Sequence, residues 1–346
     1  MCKIFTFILT VLLLFSCSQT YTPRNFERIS LQSISMDSTS IRAIHVVNDS
    51  TLYYAGSNGD IGFTNSNGSS WEIEKFQYQD SITPHFRSIA VHKNKIFALA
   101  IGSPALLFSF DFSDKFLVYE EKHEKAFYDS MKFFDDKHGI AMGDPTEDCL
   151  SIILTENGGQ TWNKLPCKNL PKTVEGEAAF AASNTNIKVL GSTAWIVTGG
   201  KKARVFKSDD FGKTWKVYDT PIIHGNGPQG IYSVDFADAD NGFVIGGNYS
   251  KADENIANKA MTTDGGKTWK LVADEQEPNY KSCVQYVPNT NGKELVAVGK
   301  TGISFSNDGG YRWKKISDEE FYTIQFFDEN TAWLAGNQKI AKLKLN

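Results

Sequence analysis

Three carboxylates mark the place where this chain could do covalent chemistry. Asp129, Asp144 and Glu177 stand near the beginnings or ends of apolar segments. Brought together, such residues could hydrolyse a glycosidic bond, one acting as acid and another as base or nucleophile. Around them lie groups suited to binding: Arg42, Arg87, Lys201, His224, Tyr232 and Tyr322. Arginine offers a fork of donors, and tyrosine a rigid ring with a polar tip. The six histidines are scattered without ligand spacing, so no metal site is expected. No Gly-x-Ser-x-Gly elbow is present to suggest a serine hydrolase, and the repeated turns contain no Gly-x-Gly-x-x-Gly, so no cofactor is expected.

The elements that would carry these residues are repeats. One phrase recurs as Thr64-Asn65-Ser66-Asn67-Gly68-Ser69-Ser70-Trp71, Thr155-Glu156-Asn157-Gly158-Gly159-Gln160-Thr161-Trp162 and Ser208-Asp209-Asp210-Phe211-Gly212-Lys213-Thr214-Trp215. It returns as Thr263-Asp264-Gly265-Gly266-Lys267-Thr268-Trp269 and Ser306-Asn307-Asp308-Gly309-Gly310-Tyr311-Arg312-Trp313. Asn65, Asn157, Asp209, Asp264 and Asn307 are read as the side chains that cap a hairpin turn by accepting backbone N–H bonds. Glycine supplies the positive φ, and Trp71, Trp162, Trp215, Trp269 and Trp313 open the next strand. These are structural roles.

Upstream of each turn lies an apolar, alternating stretch of strand type. These begin at Arg42, Arg87, Asp129, Ala178, Tyr232, Ser282 and Tyr322, and most are followed by a second strand ending at glycine. The period is roughly 40 to 50 residues, as for four-stranded propeller blades. The expectation is an all-β, seven-bladed propeller over residues 24–346, with six or eight blades as alternatives. The second unit has Phe108-Ser109-Phe110-Asp111 in place of its turn. The last unit is one strand short, and residues 26–34 can supply that strand and close the ring. The inner-strand starts would ring the channel mouth on the face away from the turns, joined there by Asp144, Glu175, Glu177, Lys201 and His224. Around the turn at Gly158, Cys149 and Cys167 fall almost opposite in a hairpin, which allows a disulfide and leaves Cys283 free.

With these turns in view, the chain resembles the BNR/Asp-box propellers, a repeat shared with sialidases. More closely it resembles the photosystem II stability/assembly factor-like family. The resemblance implies a non-catalytic role, binding a partner protein and assisting assembly of a membrane complex; the expectation for this chain is a scaffold that binds a protein or glycan through the face away from the turns. Sialidase activity would require an arginine trio, and the few arginines are Arg24, Arg28, Arg42, Arg87, Arg204 and Arg312. A Phe/Tyr-Arg-Ile-Pro element is also missing, Glu27-Arg28-Ile29-Ser30 being a poor substitute. Hydrolysis by Asp129, Asp144 and Glu177 is the alternative reading.

The first residues give an address. Lys3 precedes an apolar run from Ile4 to Phe15, which is too short to span a bilayer and has the layout of a signal peptide. Leu14-Phe15-Ser16-Cys17 resembles the lipobox of bacterial lipoproteins. The expectation is a signal peptide over 1–16, lipidation at Cys17, a tether over 17–23 and a monomeric, membrane-anchored domain in the bacterial cell envelope, periplasm or outer membrane. A net charge of -4 and no basic cluster exclude a nucleic-acid footprint.

Overall fold

The computed structural model describes residues 21–26, 29–111 and 113–345. The signal peptide, Cys17 and the first part of the tether lie outside the described residues.

The apolar alternating segments form strands, and the strands hydrogen-bond into six sheets arranged as a propeller. The second, third, fourth and sixth sheets have four strands each. They run Phe86–His92 to Lys115–Glu121, Tyr128–Phe133 to Asn163–Lys164, Ile187–Leu190 to Lys216–Asp219, and Cys283–Tyr286 to Lys314–Ser317. Strands inside a sheet are buried on both faces, as in Ala105–Phe110, because each sheet packs between two others. One such interface buries Phe97, Leu99, Tyr128, Met131, Ile153 and Trp162 together.

The propeller therefore has six blades, not the seven expected. The strand Ile29–Val46 is 18 residues long and belongs to two of the sequence units at once. Its first part pairs with Thr331–Leu345, from Ile29 opposite Leu345 to Ser35 opposite Lys339. Its last part pairs with Leu52–Gly56, from Ile41 opposite Gly56 to Val46 opposite Leu52. What reads as a first and a last unit is thus one continuous six-stranded sheet.

A second correction concerns Ala178–Ala182, expected as an inner strand. Only Glu177–Ala178 is strand, paired with Gly199–Gly200, and the inner strand of the fourth sheet is Ile187–Leu190. The segment between them crosses the channel instead. Ala179, Ala181 and Ala182 leave room for the backbone, and Asn184 turns it with a φ of 58°. Ser183 donates to the Ser282 carbonyl at 2.7 Å, and Thr323 donates to the Ser183 carbonyl at 3.0 Å. Asn184 accepts from the Ser88 hydroxyl and the Met131 N–H and donates to the Ile89 carbonyl at 3.2 Å. The channel is plugged from within.

The inner strands are also laced to one another. Gln325 accepts the Val46 N–H at 3.0 Å, Gln285 the Phe326 N–H at 3.0 Å, and Asp235 the Tyr286 N–H at 2.7 Å. Each polar side chain spends its acceptor on the next blade, which fixes the ring that carries the mouth.

The recurrent turns share one hydrogen-bond pattern. Thr64, Thr155, Ser208, Thr262 and Ser306 accept, through their hydroxyls, the N–H of the glycine four residues on, at 2.9 to 3.1 Å. The capping side chain lies two residues after that hydroxyl: Ser66, Asn157, Asp210, Asp264 and Asp308 accept the N–H four residues further on. Asn157 and Asp264 are the expected caps. Asn65, Asp209 and Asn307 are one position early, because the hydroxyl rather than the first acid or amide sets the register. Asn307 instead donates to the Arg24 carbonyl at 2.9 Å. Trp215, Trp269 and Trp313 donate their indole N–H to Gly212, Gly266 and Gly310 at 2.7 to 3.0 Å. Trp71 and Trp162 pack on the core with no such partner. Gly159 must be glycine: its φ is 85°, and a Cβ there would stand 2.3 Å from the Phe97 ring.

Candidate functional site

Opposite these turns, where the inner strands begin, a pocket of about 440 Å³ opens over the plugged channel. Arg42, Arg87, Asp144 and Tyr232 line it together. Its floor is the backbone of Ala178–Ala182, and its remaining wall is aromatic: Phe127, Phe180, Tyr249 and Tyr280.

Sequence reasoning missed most of that wall. Phe127 and Tyr280 sit just ahead of inner strands, where an aromatic residue also stands at Tyr322, and that recurrence was the available signal. Phe180 and Tyr232 stack with centroids 4.1 Å apart and planes within 7°. Tyr280 meets Tyr232 edge-on at 4.8 Å, and Tyr249 packs edge-on against Tyr280 at 5.8 Å. The Tyr232 hydroxyl donates to the Pro228 carbonyl at 2.9 Å, so its ring is fixed. Tyr249 remains 50% exposed at the rim.

Both arginines are engaged by the protein itself. Arg87 donates to the Ala181 carbonyl at 2.7 Å and to His85 Nε2 at 3.1 Å. Arg42 donates to the Ala182 carbonyl at 3.2 Å, with its guanidinium 3.7 Å from the Tyr322 ring centre. Burial, then Arg87 and Arg42, push His85 down to about 4, so its ring is neutral and free to accept. Burial and the neighbouring Arg42 lower Arg87 to about 10, which leaves it charged at neutral pH.

The three carboxylates part company. Asp129 is wholly buried, with neither oxygen hydrogen-bonded. Burial and then the charge of Asp144 raise it far above the ordinary range, with Arg87 opposing, so it holds its proton. Asp144 faces the pocket and accepts the Ala179 N–H at 2.7 Å; burial pushes it up to about 6 against that bond. Glu177 is 2% exposed and saturated: Arg204 reaches it at 2.5 and 3.0 Å, Thr198 at 2.7 Å and the Val174 N–H at 2.9 Å. Only Asp144 among the three meets the pocket, and an acid–base pair needs two reachable groups. Lys201 and His224 are exposed and stand outside it.

Away from the mouth, Cys149 and Cys167 form a disulfide with Cα atoms 5.7 Å apart, and Cys283 is a buried free thiol. Among the described residues no group of three or more His, Cys, Asp or Glu side chains is placed to hold a metal.

The sequence matches no family model and no curated protein. Its fold does match solved structures. A structure described as YCF48 bound to D1 peptide superposes with a TM-score of 0.66 at 13% identity, over 94% of this chain and all of that one. YCF48 from Cyanidioschyzon merolae gives 0.67 at 12% identity over 91% and 98% of the two chains. A structure of U3-55K gives 0.65 at 10% identity over 91% and 98%. At these identities the likeness establishes the fold alone: the chain is a β-propeller.

Proposed function

We propose that this chain is a non-catalytic, protein-binding propeller that works as an assembly scaffold through the face opposite its turns. The observation that carries the reading is the rigid aromatic pocket of Phe180, Tyr232, Tyr249 and Tyr280 beside two arginines. Aromatic residues and arginine are the groups that anchor protein interfaces. The superposable YCF48 described as bound to D1 peptide supports a peptide or protein as the occupant rather than a glycan. The burial of Asp129 and the saturation of Glu177 by Arg204, Thr198 and the Val174 N–H argue against hydrolysis. The shared hydroxyl-and-cap pattern of the turns, with Asp210, Asp264 and Asp308 as carboxylate caps, supports reading the repeats as Asp boxes. A lipid on Cys17, read from the lipobox-like Leu14-Phe15-Ser16-Cys17, would hold this propeller as a monomer at a membrane of the bacterial envelope.

The test is site-specific crosslinking in cells. A photoreactive phenylalanine at position 249 should trap a discrete partner protein, and the same group at the exposed Val47, beside the opposite face, should not. Equal trapping at both positions, or none at position 249, refutes the reading.

A further inference from the structure

A second depression adjoins the aromatic pocket, and the two share Asp144 and Ala178. It measures about 550 Å³, and five carboxylates line it: Asp144, Glu147, Asp148, Glu175 and Glu177. Two of these are neutralised within the protein, Asp148 by Lys172 at 2.6 Å and Glu177 by Arg204 at 2.5 Å. Among the described residues, Asp144, Glu147 and Glu175 have no cationic partner, and Lys125 is the one cation in the lining. The face thus joins a net-negative depression to an aromatic one. The guanidiniums at its other side are partly used: Arg87 donates to the Ala181 carbonyl and His85, while Arg42 donates one N–H to the Ala182 carbonyl and lies on Tyr322, its buried Nε–H having no partner. These bonds fix the two arginines against the crossing segment.

We propose that this face recognises an extended polypeptide segment in which a lysine or arginine lies close to an aromatic residue. The aromatic ring enters against Phe180, Tyr232 and Tyr249, and the cation lodges among Asp144, Glu147 and Glu175. This rests on the protein-binding reading above and names the chemistry of the partner. In extended chain, successive side chains on one face are about 7 Å apart, so neighbouring depressions suit residues two or three positions apart. A long basic side chain also lays its methylenes along an apolar rim while its charge reaches the acids.

Selection from a displayed library of random dodecapeptides against the full chain tests this. The enriched peptides should carry lysine or arginine within three positions of tryptophan, tyrosine or phenylalanine. Their affinity should fall at least fivefold with Glu147→Gln/Glu175→Gln, whose exposed positions leave the fold intact, and should also fall with Tyr249→Ala. Peptides that depend on Tyr249 yet carry no basic residue, or ignore Glu147→Gln/Glu175→Gln, overturn this inference and leave the protein-binding reading standing. If no selected peptide depends on Tyr249, both fail.

Discussion

Asn184 and Ser88 meet inside the channel, the Asn184 side-chain oxygen accepting from the Ser88 hydroxyl at 2.8 Å although 96 positions separate them. The same oxygen takes the Met131 N–H, so one amide ties the crossing segment to two neighbouring sheets. Asn184→Ala should therefore strand several buried groups at once. Each costs about 1–3 kcal/mol when left unpaired, and alanine also tolerates the positive φ poorly. A loss of about 2–4 kcal/mol is expected in urea unfolding; a loss below about 0.5 kcal/mol would mean that the plug is not held by this residue.

Glu177 is a structural anion. Glu177→Gln should leave the Arg204 guanidinium poorly compensated in a site where its own side chain is 14% exposed. Breaking one half of such a pair costs about 3–5 kcal/mol, whereas replacing both halves with apolar residues is far milder. Thermal unfolding of Glu177→Gln beside Glu177→Leu/Arg204→Leu decides it: the double variant should be the more stable of the two.

Asp144 makes stability depend on pH in a defined direction. Its folded value of about 6 lies above the ordinary unfolded value of about 3.9, so protonation favours the fold. That contribution is complete below about pH 4 and is lost as pH rises through 6. Asp144→Asn keeps an acceptor for the Ala179 N–H and removes the charge. It should raise the melting temperature at pH 7.5 and leave it nearly unchanged at pH 4. The reverse pattern would show that Asp144 is stabilised as an anion.

The disulfide closes a loop of 18 positions between Cys149 and Cys167. Loop-closure entropy for that length corresponds to about 3 kcal/mol. Cys149→Ala/Cys167→Ala should lose roughly that in denaturant unfolding, and a reducing agent should destabilise the parent chain while leaving the variant unmoved.

The repeated turns were legible because their chemistry is local: a hydroxyl, an acid or amide and a glycine within eight residues act on one another. Even so, Asp209 and Asn307 look like caps by composition, and only the bond that the Ser208 or Ser306 hydroxyl accepts from the glycine four residues on reveals that Asp210 and Asp308 hold the position. Blade count was not legible. It depends on whether Ile29–Val46 runs unbroken between two partners, and hydrophobic alternation says nothing of pairing. Ala178–Ala182 misled for a related reason: a short apolar run of four alanines about Phe180 suits a buried strand and a backbone threading a narrow channel equally well. At the mouth, Arg42, Arg87, Asp144 and Tyr232 could be grouped from topology. The stacking of Phe180 on Tyr232 could not, since it arises from the crossing segment itself.

The pairing of Ile29–Ser35 with Lys339–Leu345 has a consequence for how the ring is made. These strands come from opposite ends of the described chain, so the seam cannot zip until almost all of the polypeptide has been synthesised. Contacts of such long range are slow to form, because a large loop must close before any bond rewards it. Every emerging chain therefore passes through an open, unclosed arc of blades. The step that locks the circle waits for the last strand to arrive.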